Sequence, residues 1–475
     1  MAERPVVPKT PGNAGGGKGP GFKATQYVAR DRGLGNLQTP SSVQKLQMAL
    51  HAKAKAEPGF RFYALCDKVY REDVLRHAYA RCKANKGAAG VDGQRFEDIE
   101  AYGVEDWLGE LAQELRDEKY QPQAVRRVYI PKPNGKLRPL GIASIRDRVA
   151  QTAAVLVLEP IFEADLPCEQ HAYRSEHNAL MAVKQVHSLL NTGHTQVVDA
   201  DLSGYFDNIP HAELLQSLAR RVVDRRLLHL IKMWLDAPVE EDDGHGGTRR
   251  TTYNRDEKRG IPQGSPLSPL LSNLYLRRFV LGWKRLGYER RFGARIVNYA
   301  DDLVICCKGS AEEALVAMRQ MMARLKLPVN EDKTHVCRIP GQHFDFLGYT
   351  FGRCYSTQTG RAYIGTRPSK QSIRRLVVTI HEQTERRYGL LDAEVVVERM
   401  NWALRGWANY FRLGPVSKAY RLLDAYATKR LRQWLYRKHK VRSGGRTRYP
   451  DEYLYEHLGL LRLPALTSNL PWAKA

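Results

Sequence analysis

Two adjacent carboxylates, Asp301 and Asp302, stand in the stretch Asn298–Ile305, which reads as a tight turn feeding an apolar, β-branched strand. Carboxylates beside a buried strand are costly to desolvate unless positive charge sits between them, and their hard oxygens suit a divalent cation. Alone, the pair would favour an ordinary hairpin with solvated Asp residues. A second candidate, Asp201, stands where a predicted strand ends within Gln196–His211, 100 residues before Asp301. Nucleotidyl transfer needs one metal to activate a 3′-hydroxyl and a second to hold the triphosphate and leaving group, and carboxylates from neighbouring strands can hold such a pair. The remaining requirements occur in order along the chain. Lys132 and Arg138 offer cations for a triphosphate, Gly264 a close-approach turn, and Lys333 a later lysine.

These side chains must be positioned by recognisable elements. Arg126–Ile142 predicts a β-hairpin about Pro133, Asn134 and Gly135. Arg126, Arg127, Lys132, Lys136 and Arg138 crowd this ribbon, so an anion such as a triphosphate or nucleic-acid backbone would offset their repulsion. Residues 145–164 predict a mostly apolar helix ending near Pro167, and 240–247 an acidic, exposed loop. Lys258–Asn273 predicts a turn feeding a helix, with Ser265 as N-cap, Pro266 in the first turn, and Gly260 and Gly264 letting a nucleotide or template base approach the backbone. A helix over 311–325 and a strand pair over 344–351 follow.

From about residue 370 the chain reads as helical and basic. Met400, Leu404, Trp407 and Phe411 make one apolar stripe, with Arg399, Arg405 and Arg412 off it; Trp402 and Trp407 are expected in a core. Residues 418–442 mix Lys429, Arg430 and Arg432 with Tyr420, Tyr426, Trp434 and Tyr436, a composition that suits RNA by charge and stacking. At the other end, residues 1–40 are rich in glycine and proline and predict a flexible basic arm. Helical spacing from Ser41 stops at the glycine-rich loop Asn85–Gly93, whose lysine and amides could touch phosphate.

Composition narrows the class. Lys and Arg total 75 against 51 Asp and Glu, a net charge of +24 that points to a polyanionic partner, nucleic acid before membrane. The seven cysteines are scattered, with no Cys-x-x-Cys spacing, which argues for a reducing compartment and against structural zinc. No apolar stretch has the length of a membrane span, so a cytoplasmic protein is expected.

The ordered set resembles a reverse transcriptase, and within that class the proteins encoded by bacterial group II introns. The resemblance covers nearly all of residues 40–463. It rests on Tyr299-Ala300-Asp301-Asp302, Asp201 with Phe206, Pro262-Gln263-Gly264, and a primer-grip stretch Phe346-Leu347-Gly348-Tyr349. Ala84–Gly93 looks like the family's N-terminal motif and Arg405–Leu413 like its maturase, or thumb, motif.

The resemblance implies an α+β, right-hand polymerase fold with fingers and palm built on antiparallel sheet, plus an α-helical thumb/maturase domain. The expected divisions are an arm over 1–40, an N-terminal extension over 41–105, fingers and palm over 106–360, and a thumb and RNA-binding region over 361–475. Asp201, Asp301 and Asp302, with the position of Leu202, would hold two Mg²⁺ ions. Phe206 would pack under the incoming sugar and exclude a 2′-hydroxyl. Gln263, beside Gly264, would contact the nucleotide, Lys132 and Arg138 would clamp its phosphates, and Lys333 would donate a proton to pyrophosphate. Lys429, Arg430 and Arg432 would bind RNA. Implied partners are group II intron RNA, target DNA and dNTPs, with no membrane, as monomer or dimer.

There are departures. No cysteine follows Cys354 and only His381, His439 and His457 lie beyond it, so the Cys- and His-rich endonuclease module of many members is not expected. The segment Gln170–His177 keeps only part of the family's Phe-Arg-Pro-Gly-Arg-Ser pattern, and Tyr453–Leu460 looks like the short terminus of endonuclease-lacking members. The expected activity is RNA-directed DNA synthesis combined with splicing assistance and retrohoming. The rivals are a non-catalytic RNA-binding splicing factor, or a related reverse transcriptase retooled for DNA repair or phage defence.

Overall fold

In the computed structural model, residues 37–131, 135, 137–244, 247–356, 359–441, 445–467 and 470 are described. Residues 1–36 of the arm expected over 1–40, Lys132, Lys136 and the Pro133-Asn134 turn lie outside them. The described strands are β1 (Val125–Pro131), β2 (Leu137–Ile142), β3 (Gln196–Asp201), β4 (Val239–Asp242), β5 (Thr248–Thr251), β6 (Ala294–Tyr299), β7 (Asp302–Cys307), β8 (His335–Arg338), β9 (Phe344–Phe346), β10 (Tyr349–Tyr355) and β11 (Ala362–Pro368). They form three small sheets, ordered β2-β1-β4-β5, β6-β7-β3-β8 and β11-β10-β9. A helical region, Lys370–Gln383, Ala393–Tyr410 and Ser417–Lys438, follows. The architecture is mixed α/β with a C-terminal helical region.

The central sheet is organised by strand alternation. Val198 and Ala200 of β3 and Leu303, Ile305 and Cys307 of β7 point into the largest core, with the helices Ser268–Arg285 and Ala311–Arg324. The other face carries Val197, Val304 and Cys306, covered by Ala182, Val183 and Val186 of the helix Ala179–Asn191. One face is therefore closed, while the other is apolar at one end only.

The predicted helix at 145–164 spans Ile145–Glu163 and is buried along most of its length between the N-terminal helices and the central core. Pro160 lies inside it and has no N–H for the carbonyl of Leu156. The buried Gln47 side chain donates to that carbonyl at 3.0 Å, so the orphan acceptor is satisfied from the helix Ser41–Ala56. Gly90 is docked so closely that a Cβ would lie 2.6 Å from Ser144 Cα, and Arg126 and Arg148 donate to the carbonyls of Ala89 and Ala88. The glycine-rich loop is thus fastened by cations from β1 and from the helix Ile145–Glu163.

Three expectations are corrected. The acidic insertion is a hairpin, β4 and β5, in which Glu240 and Glu241 face Arg250 and Arg249, and it joins β1 in parallel. Cross-strand charge pairing, invisible in a local reading of the acidic run, offsets its repulsion. Ser265 is not the N-cap of the long helix, which begins at Ser268 with Pro269 in its first turn; its hydroxyl donates to Gln151 Oε1 at 2.6 Å instead. Trp402 is 76% exposed rather than in a core, whereas Trp407 packs on Phe411 and Tyr420. Trp402 is two residues past Met400, which puts it off the buried stripe.

The strand pair at 344–351 is present as β9 and β10, joined by Leu347 and Gly348, both at positive φ. This turn abuts the helical region. Tyr349 Oη donates to Tyr410 O at 2.5 Å, Tyr410 Oη to Leu347 O at 2.8 Å, and a Cβ at Gly348 would meet Ser372 Oγ at 2.8 Å. Gly348→Ala should therefore lower stability by about 2 kcal/mol, from a left-handed residue with a Cβ and from overpacking. Chemical denaturation checks this, and an unchanged midpoint would mean that the joint is loose.

Candidate active site

The acidic end of the central sheet is produced by register. In β3, Asp199 and Asp201 share the face of Val197; in β7, Asp302 shares the face of Val304 and Cys306. Antiparallel pairing sets Asp201 directly against Asp302, so the two carboxylates predicted 101 residues apart are cross-strand neighbours. Asp301 is in the two-residue connection between β6 and β7, where Ala300 has φ 57°.

That turn is braced from beneath by Asn298, which is wholly buried. Its Nδ2 donates to Ala300 O at 2.8 Å and to Asp302 O at 3.1 Å. Its backbone N–H donates to Glu169 O at 2.8 Å, and its carbonyl accepts from His171 N at 3.0 Å. The segment that presses on the turn is itself anchored: Arg174 is paired with Glu163 at 2.7 Å and donates to Pro167 O and Gln170 O. Asn273 completes the tie by donating to Ala172 O at 2.6 Å.

Electrostatics follow from the geometry. Although Asp302 meets solvent, removal of water around its charge, followed by the charges of Asp301, Asp201 and Asp199, pushes its pKa up to about 7, with Lys333 opposing. Asp199 is pushed up to about 6, chiefly by burial. Lys333 Nζ donates to Asp201 Oδ2 at 2.9 Å, an interaction that raises the lysine's pKa, and Asn330 Nδ2 reaches the same oxygen at 3.0 Å.

The fit to a divalent cation is good in chemistry and incomplete in arrangement. Among the described residues no group of three or more His, Cys, Asp or Glu is arranged to hold a metal ion as it stands. The carboxylates repel one another, and Asp201 is engaged by Lys333. After burial, the neighbouring carboxylates contribute to the raised Asp302 pKa, a repulsion that a divalent cation would offset. Asp201, Asp301 and Asp302 supply hard oxygens; Leu202 could contribute only its backbone carbonyl.

Among the expected nucleotide contacts, Arg138 and Gln263 are brought together, with Arg138 Nε donating to Gln263 Oε1 at 3.2 Å across from β2. Phe206, half-buried, meets Tyr205 edge-on, and its carbonyl accepts from Ile261 N at 2.9 Å, which ties the Phe206 turn to the Pro262-Gln263 turn. Gly264, at φ 111°, serves a different close approach from the one expected: a Cβ there would lie 2.7 Å from Gly141 O, so the space is taken by the protein's own β2 backbone rather than left for a nucleotide.

The RNA-contact expectation divides. Lys429 is exposed, whereas Arg430 and Arg432 are buried and act inside the fold. Arg430 donates to Thr384 Oγ1 at 3.0 Å and Thr384 O at 3.2 Å; Arg432 donates to Tyr449 O at 2.8 Å and pairs with Asp451. Their guanidinium groups tie the long helix to its neighbours.

Three residues escaped the sequence reading. Asp199 could have been found from the Asp-Ala-Asp spacing, which repeats at the strand period. Tyr173, with φ 56°, has its phenol pKa raised by burial and by the charge of Asp301, with Arg138 of β2 opposing, so it stands near both the acidic turn and β2. Asn298 gave no signal beyond being a polar residue in an apolar strand.

Comparison with known proteins bears on this geometry. Residues 130–351 match the family model described as reverse transcriptase (RNA-dependent DNA polymerase), and residues 373–450 match the group II intron, maturase-specific domain. Protein YkfC of Escherichia coli is 31% identical over 371 residues, covering 70% of this chain and 93% of that protein. The chain belongs to the group II intron reverse transcriptase/maturase family. Group II intron-encoded protein LtrA of Lactococcus lactis is 28% identical over 351 residues, covering 61% of this chain and 56% of LtrA. The chain thus spans nearly all of YkfC and about half of LtrA. The first match encloses β3, β6 and β7, and so all of Asp201, Asp301 and Asp302: the acidic face lies within an RNA-dependent DNA polymerase domain. No helix among the described residues is long and apolar enough to cross a membrane.

The pKa of Asp302 has a measurable sign. An unfolded Asp ionises near 4, so without divalent cations this group lowers stability progressively as pH rises from about 4 through about 7, and adds no further change above that. Mg²⁺ binding at pH 6 must expel a proton and should strengthen towards pH 8. Titration calorimetry in two buffers of different ionisation enthalpy counts that proton; a count of zero at pH 6 contradicts the assignment.

Proposed function

We propose that the protein copies RNA into DNA at the acidic end of the central sheet, on deoxynucleotide substrates, and that its C-terminal helical region binds a group II intron RNA. The observation that carries the reading is the register of Asp201 against Asp302, with Asp301 in the adjoining turn. Two magnesium ions, when bound there, lower the pKa of the attacking 3′-hydroxyl and neutralise the triphosphate. Asp201, Asp301 and Asp302 would hold them, with the carbonyl of Leu202, the residue that follows β3. Asn298 keeps the turn from splaying under the carboxylates' repulsion.

In this reading, β2-β1-β4-β5 forms the fingers and β6-β7-β3-β8 the palm of a right-handed polymerase within residues 106–360. Residues 361–475 form the thumb and RNA-binding region, and 41–105 an N-terminal extension. Arg138 and Lys132 bind the triphosphate, and Gln263, already paired with Arg138, meets the sugar or base. Phe206 blocks the space of a 2′-hydroxyl. Lys333 is the proposed proton donor to the leaving pyrophosphate. Its ammonium is held on Asp201 in the absence of substrate, so it must leave that carboxylate before it can give a proton away.

Binding of intron RNA assists splicing by stabilising the folded RNA, and retrohoming by target-primed copying follows from the same polymerase. The net charge and the exposed cations of the helical region, Lys429 among them, support this part.

Primer extension on an RNA template with Mg²⁺ tests the catalytic reading. The native protein should incorporate deoxynucleotides, and Asp301→Ala should reduce the rate at least about 10³-fold, the scale of losing a charge-stabilising group at the reacting centre. No incorporation by the native protein would leave the inert-palm splicing factor as the better account. Phe206→Ala should admit ribonucleotides, read as the ratio of kcat/KM for dNTP and rNTP; an unchanged ratio removes Phe206 from substrate selection.

A further inference from the structure

Among the described tryptophans, Trp402 is 76% exposed, whereas Trp107, Trp234, Trp283 and Trp434 are buried and Trp407 is half-buried. It stands on the helix Ala393–Tyr410, whose opposite side is closed by Val396, Val397, Met400 and Leu404. The exposed side around the ring has a definite composition. Arg399 and Arg405, both exposed, lie three residues before and after Trp402, on opposite flanks and about 9 Å apart along the axis. Gly406, one turn beyond the ring, is exposed, and a Cβ added there would meet nothing within 4 Å. The ring is therefore bare on the Gly406 side, and Glu398, one turn earlier, is the acidic group of the face.

The helix is well held beneath this surface. Asn401 donates to Gly459 O at 2.8 Å and accepts from Leu461 N at 2.7 Å, so the backbone next to Trp402 is tied to the chain's last segment. Arg399 lies 5.7 Å from the ring centre of Tyr388, which limits where its guanidinium can go. A flat aromatic surface on a fixed backbone, flanked by two guanidinium groups, is thus presented to solvent.

We propose that Trp402 is a stacking platform for an unpaired RNA base, with Arg399 and Arg405 receiving the phosphates on either side of that nucleotide. The inference rests on the RNA-binding role proposed above for the helical region and names a surface for it. An apolar protein partner would have to strip water from Arg399, Arg405 and Glu398 together, which is costly without matched charges. A perfect duplex offers no free base face except at its ends. An unpaired base offers a π-face for the indole and leaves its own phosphates for the arginines.

Because the side chain is exposed, its removal should leave the fold intact, which the thermal midpoint of the variant verifies. The probe is a stem-loop RNA with 2-aminopurine in its unpaired loop, compared with a perfect duplex of equal length. For the native full-length chain, binding should quench the loop's 2-aminopurine. Trp402→Ala should abolish that quench and weaken loop binding roughly 5- to 150-fold, the equivalent of about 1–3 kcal/mol per stacked base. Trp402→Phe should restore part of both, and duplex binding should change less than about twofold.

Trp402→Ala should also leave the slope of log affinity against log salt unchanged. Arg399→Ala and Arg405→Ala should each reduce that slope by about 0.7, as single-strand phosphate contacts do. Equal losses on loop and duplex, or undiminished quenching in Trp402→Ala, would overturn the proposal. Failure of the native chain to bind either RNA would overturn the RNA-binding role on which it rests.

Discussion

Like charge held in close quarters is the constraint around which this molecule is built. Asp201 and Asp302 are placed side by side by strand register, with Asp301 in the adjoining turn and Asp199 further along the same face. Left to themselves, such groups would push the β6–β7 turn outward. They are retained because the other face of the sheet is filled with apolar side chains and because Asn298, Glu169 and His171 pin the turn from below. The hydrophobic core therefore supplies the stability against which the electrostatic strain is held, a common relation between packing and reactive sites.

The fastening extends outward in both directions. Towards β2, the Ile261-Pro262-Gln263 segment bonds to Gly141 and to Phe206, so the elements proposed to face a nucleotide are hydrogen-bonded to one another. Towards the C-terminus, the Leu347-Gly348 turn and the end of the helix Ala393–Tyr410 exchange hydrogen bonds through Tyr349 and Tyr410. Chains of direct contacts thus run from the acidic face to both flanking regions.

The parts legible in the sequence were those written in local pattern. The Asp-Asp turn, the strand ending in Asp201, the long apolar helix and the basic hairpin could each be read from spacing and turn chemistry. What stayed hidden depended on partners distant in the chain. Glu240 and Glu241 read as solvated acid because Arg249 and Arg250 had not yet been placed opposite them. Arg430 and Arg432 read as surface cations because nothing in their own helix reveals that Thr384, Tyr449 and Asp451 would receive them. Gly264 read as room for a ligand, when the room belongs to the carbonyl of Gly141. A residue type announces what a side chain can do, but burial decides whether it is offered to the outside.

The Tyr349–Tyr410 joint has a mechanical consequence. The helix Ser417–Lys438 has 22 residues and is about 33 Å long, and Arg430, Arg432 and Lys438 tie it along its length to its neighbours, so it turns about the joint together with them. A tilt of only five degrees at the joint would carry the far tip through roughly 3 Å, about the reach of one hydrogen bond. Angular stiffness at a two-residue turn thus sets how accurately a distant basic surface can be aimed.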